Sequence, residues 1–393
     1  MDGCNKKMTE QSTDILIIGG GPAGSTTALY LAQLGFEITL IEKKIFPRET
    51  LCGEFLSKEV TDILRELNLF NDFLLLKQNQ LKSFRAVDDT GIELKSKLSF
   101  DAYAMKRSIF DSFLIEKAKE RKVNIIQPAE VISITNSDTG FVSEVEDNSN
   151  QTINFSSKMV IAGYGKQNIL DKKYRRDFVN KKSNLNGVKF HLPINLLKNS
   201  FNDEIRIYTI DGLYCGMNQV SDKEITVCFL ENRKQSKIPS RDRLIDVIKS
   251  NKQFQKIFRE EAIDFIKSTN IYGTGNIYFG SREVVENGII MVGDAARVIS
   301  PLAGDGIGMA MESARMIFEI INKFSIGNMN REKIYSVYKK QYERVFNKRL
   351  YTAKIIQGII LNRKSRRLGF GLAKNYPALL PYLIKFTRSS KTA

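Results

Sequence analysis

The apolar and polar positions of this chain change texture along its length. The first sharp pattern is Ile15 to Ile18, a continuous apolar run that reads as a buried strand. Three glycines follow, then helical spacing from Ser25 to Leu34, with Gly35 placed to end the helix. A second apolar run, Ile38 to Ile41, stops at Glu42. The pattern is strand, glycine turn, helix, strand: one βαβ unit.

Further along, Ser57 to Leu67 reads as a helix with Ser57 as N-cap. Leu81 to Val87 and Ile92 to Leu98 read as strands around the turn Asp88 to Gly91. Lys106 to Arg121 has helical spacing, with Ile109, Phe113 and Ala118 expected on its buried face. Val123 to Ile126 is a short strand. Val131 to Thr135, Phe141 to Glu146 and Thr152 to Phe155 alternate like an antiparallel meander, and Met159 to Ala162 reads as a separate buried strand. From Gly187 the alternation lengthens: Gly187 to Leu192, Glu204 to Thr209, Gly212 to Asn218 and Glu224 to Leu230 predict an antiparallel sheet with one buried face. Arg241 to Ile266 reads as helices, and Ile271 to Phe279 as the return to the first domain. Ile289 to Val292 is a strand that runs into a second glycine-dense turn and helix, Gly293 to Ala314.

The glycine turns carry the candidate chemistry. In the first, Gly19 permits a tight turn, Gly21 lets backbone approach a pyrophosphate, and Gly24 lets helix pack on sheet. The helix N-terminus presents free N–H groups to the phosphates. Glu42 stands where a carboxylate accepts hydrogen bonds from an adenosine ribose, which selects NAD or FAD over NADP. In the second turn, Asp294 ends a strand where it can hold a ribityl hydroxyl. Pro301, Gly304, Gly306 and Ile307 open a helix that can approach a flat ring by its backbone.

Charge is unevenly spread. From Arg331 to Ala393 there are 16 Lys and Arg against 2 Glu, so about +14 of the formal +16 lies there. Apolar residues interleave these bases: Ile355, Ile356, Ile359, Ile360 and Leu361, then Leu379, Leu380, Leu383, Ile384 and Phe386. Two readings fit this region: solvated helix faces, or an interfacial patch against anionic lipid. Nucleic acid has no recognition motif to support it. No run of 18 apolar residues predicts a membrane span, and Met1 to Thr13 lacks the apolar core of a signal peptide and reads as a mobile tail. Four cysteines without CxxC spacing predict reduced thiols in a cytoplasmic protein, peripheral at most to the inner membrane face, with no metal centre.

Taken together, the two turns resemble the FAD-dependent oxidoreductase superfamily of p-hydroxybenzoate hydroxylase, geranylgeranyl reductases and flavin-dependent halogenases. The resemblance covers nearly the whole chain in order. The GGGPAG turn (Gly19, Gly21, Pro22, Ala23, Gly24) with Glu42 and Lys43 looks like the family's FAD-ADP site, and GDAA followed by P-x-x-G-x-G looks like its second FAD motif. Arg107 matches the arginine that reaches toward the flavin, and Val131 is placed with the cofactor residues. The loop FPRETLCGEFLS, carrying Arg48 and Cys52, is similar to the FPR-x3-CG loop of geranylgeranyl-reductase-like members. The resemblance implies an α/β fold: a Rossmann-like FAD-binding domain, an inserted antiparallel-sheet substrate domain and a helical C-terminal region. It implies FAD-binding parts at 1–80, 106–183 and 271–330, substrate-domain strands at 81–105 and 184–270, and a basic helical region at 331–393.

Three departures matter. Gly163-Tyr164-Gly165 stands where the monooxygenases carry an Asp-Gly pair, which bears on handling of NADPH or NADH as electron donor. The chain has no tryptophan, so the halogenases' Trp-x-Trp motif is missing. The prenyl reductases' aromatic sheet motif keeps only Tyr214. The expected activity is therefore a monooxygenase on a lipophilic substrate. The alternatives are an alkene-saturating reductase, or a flavoprotein that only transfers electrons or stores its cofactor. Candidate reacting residues are Cys52, His191 and Tyr214, each of which also reads as a packing or surface residue.

Overall fold

The computed structural model describes residues 9–210, 212–234, 237–324, 330–386 and 388. Residues 1–8, including Cys4, lie outside it, but Thr9 to Thr13 belong to a strand, not a tail. The polar start of strand Thr9–Ile18 pairs with Ile153 to Ser157, so backbone continues where the apolar pattern has not yet begun.

The first sheet has eight strands, five of them parallel in the order Ile289–Met291, Thr152–Ala162, Thr9–Ile18, Ile38–Ile41, Asn124–Ile126, with Val285–Glu286 antiparallel on Ile289–Met291. The chain builds outward on one side of Thr9–Ile18 and then returns on the other. A crevice therefore opens at the carboxyl ends of Thr9–Ile18 and Thr152–Ala162, where ligands bind in open α/β sheets. Strands Ala129–Asn136 and Phe141–Asp147 form a hairpin on the first half of Thr152–Ala162. That strand is continuous. The sequence splits it because exposed Lys158 interrupts the apolar run, and Lys158 Nζ is held 2.7 Å from Asp14 Oδ1. Helices Pro22–Ala32 and Gly306–Phe324 pack against each other. Helix Arg107–Glu120 buries Phe110, Phe113, Leu114 and Ala118, while Ile109 is exposed. Of the expected face, Phe113 and Ala118 are buried, and Phe110 takes the place of Ile109.

The second sheet has eight strands, in the order Tyr272–Thr274, Leu185–Pro193, Glu224–Asn232, Leu213–Gln219, Glu204–Ile210, Asn79–Val87, Glu93–Ala104, Phe55–Leu56. All pairs are antiparallel except Glu204–Ile210 with Asn79–Val87. Tyr272–Thr274 extends an edge of this sheet, so the return to the first sheet starts later than Ile271. Helices Ser240–Ser250, Lys252–Gln255 and Glu261–Ser268 contribute to an apolar cluster with the sheet, through Leu244, Phe254 and Ile266. Along Leu185–Pro193 both faces are buried. Phe190 and Leu192 join that cluster, and Lys189 on the opposite face is also fully buried. The expectation of a single buried face fails there.

Three helices end the chain: Arg331–Leu361, Arg363–Asn375 and Leu379–Phe386. The first buries Tyr338, Tyr342 and Phe346 in the core of the parallel-sheet lobe. The later two pack Phe370, Ala373 and Leu380 onto Ala86 and Leu94 of the second sheet. No described helix is long and apolar enough to cross a membrane.

Candidate active site

The two glycine turns meet because their parallel strands flank Thr152–Ala162 and end at the same edge of the sheet. Gly19 has φ +97°, and a Cβ on it would lie 2.7 Å from the carbonyl oxygen of Gly163. A Cβ on Gly24 would lie 1.8 Å from Gly19 O, so this residue seats the helix on the turn. Gly293, with φ +61°, packs its α-carbon against Ala23; a Cβ there would come within 2.8 Å. Three strand ends and two helix starts thus converge with no side chain between them.

A cavity of about 1120 Å³ opens on this junction. Gly19, Gly21, Pro22, Ala23, Glu42 and Lys43 line it, as do Arg48, Arg107, Val131, Asp294, Pro301, Gly304, Gly306 and Ile307. Gly24, expected among them, is instead buried beneath the turn. Gly21 faces open space, with Arg48 Nη2 and Arg107 Nη2 3.5 and 3.8 Å from the position of a Cβ. Two guanidinium groups beside a glycine turn and a helix N-terminus make a cradle for a diphosphate. Asp111 holds them. It accepts from Arg107 Nε and Nη2 at 2.6 and 2.7 Å, and lies 3.7 Å from Arg48 Nη2. Burial opposes the Arg107 charge, and Asp111 more than offsets it, so the guanidinium stays charged.

Glu42 is buried and braces the turn. Its Oε2 accepts from Gly20 N at 2.7 Å and its Oε1 from Lys44 N at 2.9 Å. A carboxylate has further lone pairs, and this one lines the cavity, so a ribose hydroxyl remains within its capacity. Lys43 pairs with Glu130 at 2.6 Å on the outer side. Asp294 lies 3.1 Å from Lys166 Nζ at the other motif. Volume, charge and backbone shape all fit FAD, whose isoalloxazine supplies redox chemistry when bound.

Beyond the turns the cavity becomes apolar. Ile205, Ile207 and Leu230 come from the second sheet; Ile356, Ile360 and Phe370 come from the C-terminal helices. Tyr214 lies in this wall, and burial pushes its phenol well above the ordinary value. Cys52 and Cys228 also line it. Cys52 Sγ accepts from Glu54 N at 3.3 Å, and burial, with Cys52 adding to it, pushes the Cys228 thiol up to about 12.

His191 does not line the cavity. Its Nε2 lies 2.7 Å from Glu54 Oε2, within a cluster that sequence reasoning missed. Glu54 is fully buried at φ +57°. Its Oε1 accepts from Arg107 N at 2.8 Å and from Lys189 Nζ at 2.5 Å, and Thr226 donates to Oε2. Lys189 also reaches Glu49 at 2.6 Å. Burial raises the Glu54 carboxyl, but His191 and Lys189 more than compensate and hold it at about 2. Glu49, Glu54 and His191 have ligand atoms within 4.8 Å of one another, yet the Lys189 ammonium already supplies their positive charge. The available signal was the alternation in GVKFHL, which places Lys189 and His191 on one face.

Where the monooxygenase acid is missing, Tyr164 lines the cavity and donates to Asp171 Oδ1 at 2.7 Å. Asp171 is buried, bound by Arg176, and does not line the cavity.

Comparison with known proteins agrees with this architecture. The chain is 24% identical over 361 residues to a 1H-pyrrole-2-carbonyl-(peptidyl-carrier protein) chlorinase of Pseudomonas fluorescens, covering 79% of this chain and 75% of that one. It is 23% identical to a tryptophan 2-halogenase of Chondromyces crocatus, covering 84% of this chain but only 65% of the relative. It is 24% identical to a digeranylgeranylglycerophospholipid reductase of Methanosarcina acetivorans, covering 90% and 86%. Among solved structures, a flavin-dependent brominase superposes with TM-score 0.78 at 17% identity, covering 96% of this chain and 93% of that one. A probable FAD-dependent monooxygenase of Pseudomonas aeruginosa superposes with TM-score 0.71 at 14% identity, covering 90% and 98%. Residues 12–348 match the FAD binding domain family, and with that span and the two glycine motifs the chain belongs to it, as an FAD-dependent oxidoreductase of the p-hydroxybenzoate hydroxylase and geranylgeranyl reductase superfamily.

Proposed function

We propose that this enzyme is a monooxygenase acting on a lipophilic organic substrate, with NADPH or NADH as transient electron donor. In this reaction one atom of dioxygen enters a substrate C–H bond and the other leaves as water. The nicotinamide supplies a hydride, which carries both electrons, and one further proton is consumed. The observation that carries the reading is the chemistry of the apolar wall. Tyr214 and Cys228 in that wall could give a proton, and burial raises both, Cys228 to about 12; Asp305, in the second glycine turn, is raised by burial to about 8 but is tied up by Arg349 and Arg388. Tyr214 and Cys228, so far from neutral pH, serve poorly as general acids. Hydride-plus-proton saturation of an alkene needs such a donor beside the substrate. Oxygen insertion instead needs a dry pocket that excludes water.

The second reading, an alkene-saturating reductase, is favoured by Cys52, a cavity thiol in the loop shared with reductase-like members. The halogenase relatives support a third chemistry, but this chain has no tryptophan from which to build their Trp-x-Trp motif. We propose that the site residues named above hold FAD, with Arg48 and Arg107 at the diphosphate and Asp294 at the ribityl chain, a reading supported by their place in the cavity lining.

The test is product mass from FAD-loaded enzyme supplied with NADPH or NADH, chloride or bromide, and a panel of prenyl and phenolic compounds. One labelled oxygen from isotopic dioxygen in the product is the expected result. Gain of two hydrogens without oxygen makes the enzyme a reductase, and a halogenated product overturns both readings. Because Gly163-Tyr164-Gly165 lacks the acid, anaerobic flavin bleaching by either nucleotide should be slow without substrate, with dithionite as control. Rapid bleaching removes that departure as an obstacle.

A further inference from the structure

The C-terminal helices present an apolar face that the active site does not explain. Of fifteen large hydrophobic residues exposed among the described residues, nine lie between Tyr351 and Leu383. They follow helical spacing. Tyr351, Ile355 and Ile359 run along one side of Arg331–Leu361, Leu368 and Leu372 along the next helix, and Leu379, Tyr382 and Leu383 along the last. Single exposed aliphatics are ordinary, but stripes on three successive helices are not. The first two helices lie side by side, since Ser365 Oγ donates to Ile359 O at 3.1 Å and Gly369 packs on Ile359.

The same segment carries the charge excess, with 16 Lys and Arg against 2 Glu from Arg331 onward. Lys354, Arg363, Lys364, Arg367 and Lys374 are exposed. Arg366 is not part of this surface. It is fully buried, donating to Ile210 O at 3.0 Å and Ile360 O at 3.1 Å, with Asp89 3.3 Å away. Ile359 and Leu383 are both exposed and part of the cavity lining, so the stripe runs to an opening of the apolar cavity.

We propose that this face docks on an anionic lipid bilayer, with the apolar stripes in the headgroup layer and the cavity opening onto the membrane. A lipophilic substrate then reaches the site from the bilayer without crossing water. The entry route rests on the monooxygenase reading; the docking itself does not. Charge chooses the occupant. A second copy would set these five exposed cations against the same five, whereas anionic lipid complements them. Basic side chains flanking an apolar helical face are the composition of interfacial helices.

The experiment is co-sedimentation of the FAD-loaded full chain with vesicles of phosphatidylcholine, alone or mixed with phosphatidylglycerol. Pelleting should require the anionic lipid and weaken about tenfold from low to high salt as charges are screened. Joint replacement of Arg363, Lys364, Arg367 and Lys374 by Gln should remove most pelleting at low salt. Joint replacement of Leu368, Leu372 and Tyr382 by Ser should remove the part that survives high salt. Flavin absorbance and thermal midpoint of both variants should match the parent, which separates lost docking from lost fold. Equal pelleting with both vesicle types, or none with either, overturns the proposal. A dimer in solution that the Ser variant dissolves overturns it too, in favour of self-association. Docking without product formation refutes the reaction assignment alone, and turnover without docking refutes only the membrane face.

Discussion

Gly24 and Gly21 belong to one motif but face different constraints. A methyl on Gly24 would fall 1.8 Å from a backbone oxygen, so Gly24→Ala must separate the helix from the turn. The cost should exceed the roughly 1–3 kcal/mol of an extra core methylene, and the variant should be destabilised as well as flavin-free. A methyl on Gly21 meets only arginine side-chain atoms at ordinary contact. Gly21→Val should therefore keep the parent's thermal midpoint in the flavin-free form while losing yellow colour. Equal loss of stability in both variants would contradict this division. Glu54 shows the other kind of residue. Its carboxyl is held at about 2 against an ordinary 4.5, so its contribution is fully present above pH 4.5 and is lost as pH falls toward 2. Glu54→Gln leaves Lys189 buried with Glu49 as its one remaining carboxylate partner and should cost about 3–5 kcal/mol at neutral pH. Calorimetry across pH should also find a flatter acid limb for the variant; an unchanged limb removes Glu54 as the acid-sensitive group. The glycines were legible because turn geometry is encoded in adjacent residues. Glu54 was not, because Lys189 is 135 positions away and Thr226 is 172.

At the scale of elements, helix Arg107–Glu120 delivers the cation and also fixes its aim. Asp111, one turn after Arg107, accepts from its Nε and Nη2 and stands near Arg48. Asp111→Asn keeps the shape but loses the charge that orients the two arginines. FAD affinity, measured by flavin fluorescence quenching, should fall about tenfold to a hundredfold, the range for losing a hydrogen-bonded charge partner of about 1.5–3 kcal/mol. No change in affinity would make Asp111 a purely structural anchor. Sequence periodicity located this helix to within a residue at each end and placed Phe113 and Ala118 on its buried face, but missed at Ile109. Apolar residues occupy both 109 and 110, and tertiary packing decides between them. The parallel strand from Thr152 to Ala162 was split for a related reason: periodicity reports burial, and a strand continues through exposed residues. The C-terminal helix was legible as basic and helical, but not its anchor. Buried Arg349 joins Asp305 of the second flavin motif to Glu312 and lies 3.8 Å from Glu59, contacts that sequence spacing does not reveal.

Across the whole molecule, one cavity joins three separately encoded walls. The glycine turns close one end, the second sheet forms one side, and the C-terminal helices complete the apolar end. The two-sheet architecture was legible because each sheet has its own texture. The third wall was not, since Ile356 and Ile360 read as aliphatic residues among bases, and only packing brings them, with Phe370, over the second sheet. This division predicts that cofactor and substrate sites fail independently. Ile360 lines the apolar end, three turns beyond Arg349, through which its helix holds Asp305 of the second glycine turn. Ile360→Trp adds aromatic volume to that end. Flavin content and the visible spectrum should stay those of the parent, because the diphosphate cradle at Gly21, Arg48 and Arg107 is untouched. Substrate-dependent nucleotide oxidation should lose at least about tenfold in kcat/KM, a barrier increase of about 1.4 kcal/mol. A shorter substrate homologue should recover part of the loss if the tryptophan only occupies volume. Loss of flavin along with turnover would mean that the C-terminal wall also holds the cofactor. Unchanged turnover would place the substrate elsewhere than the apolar end.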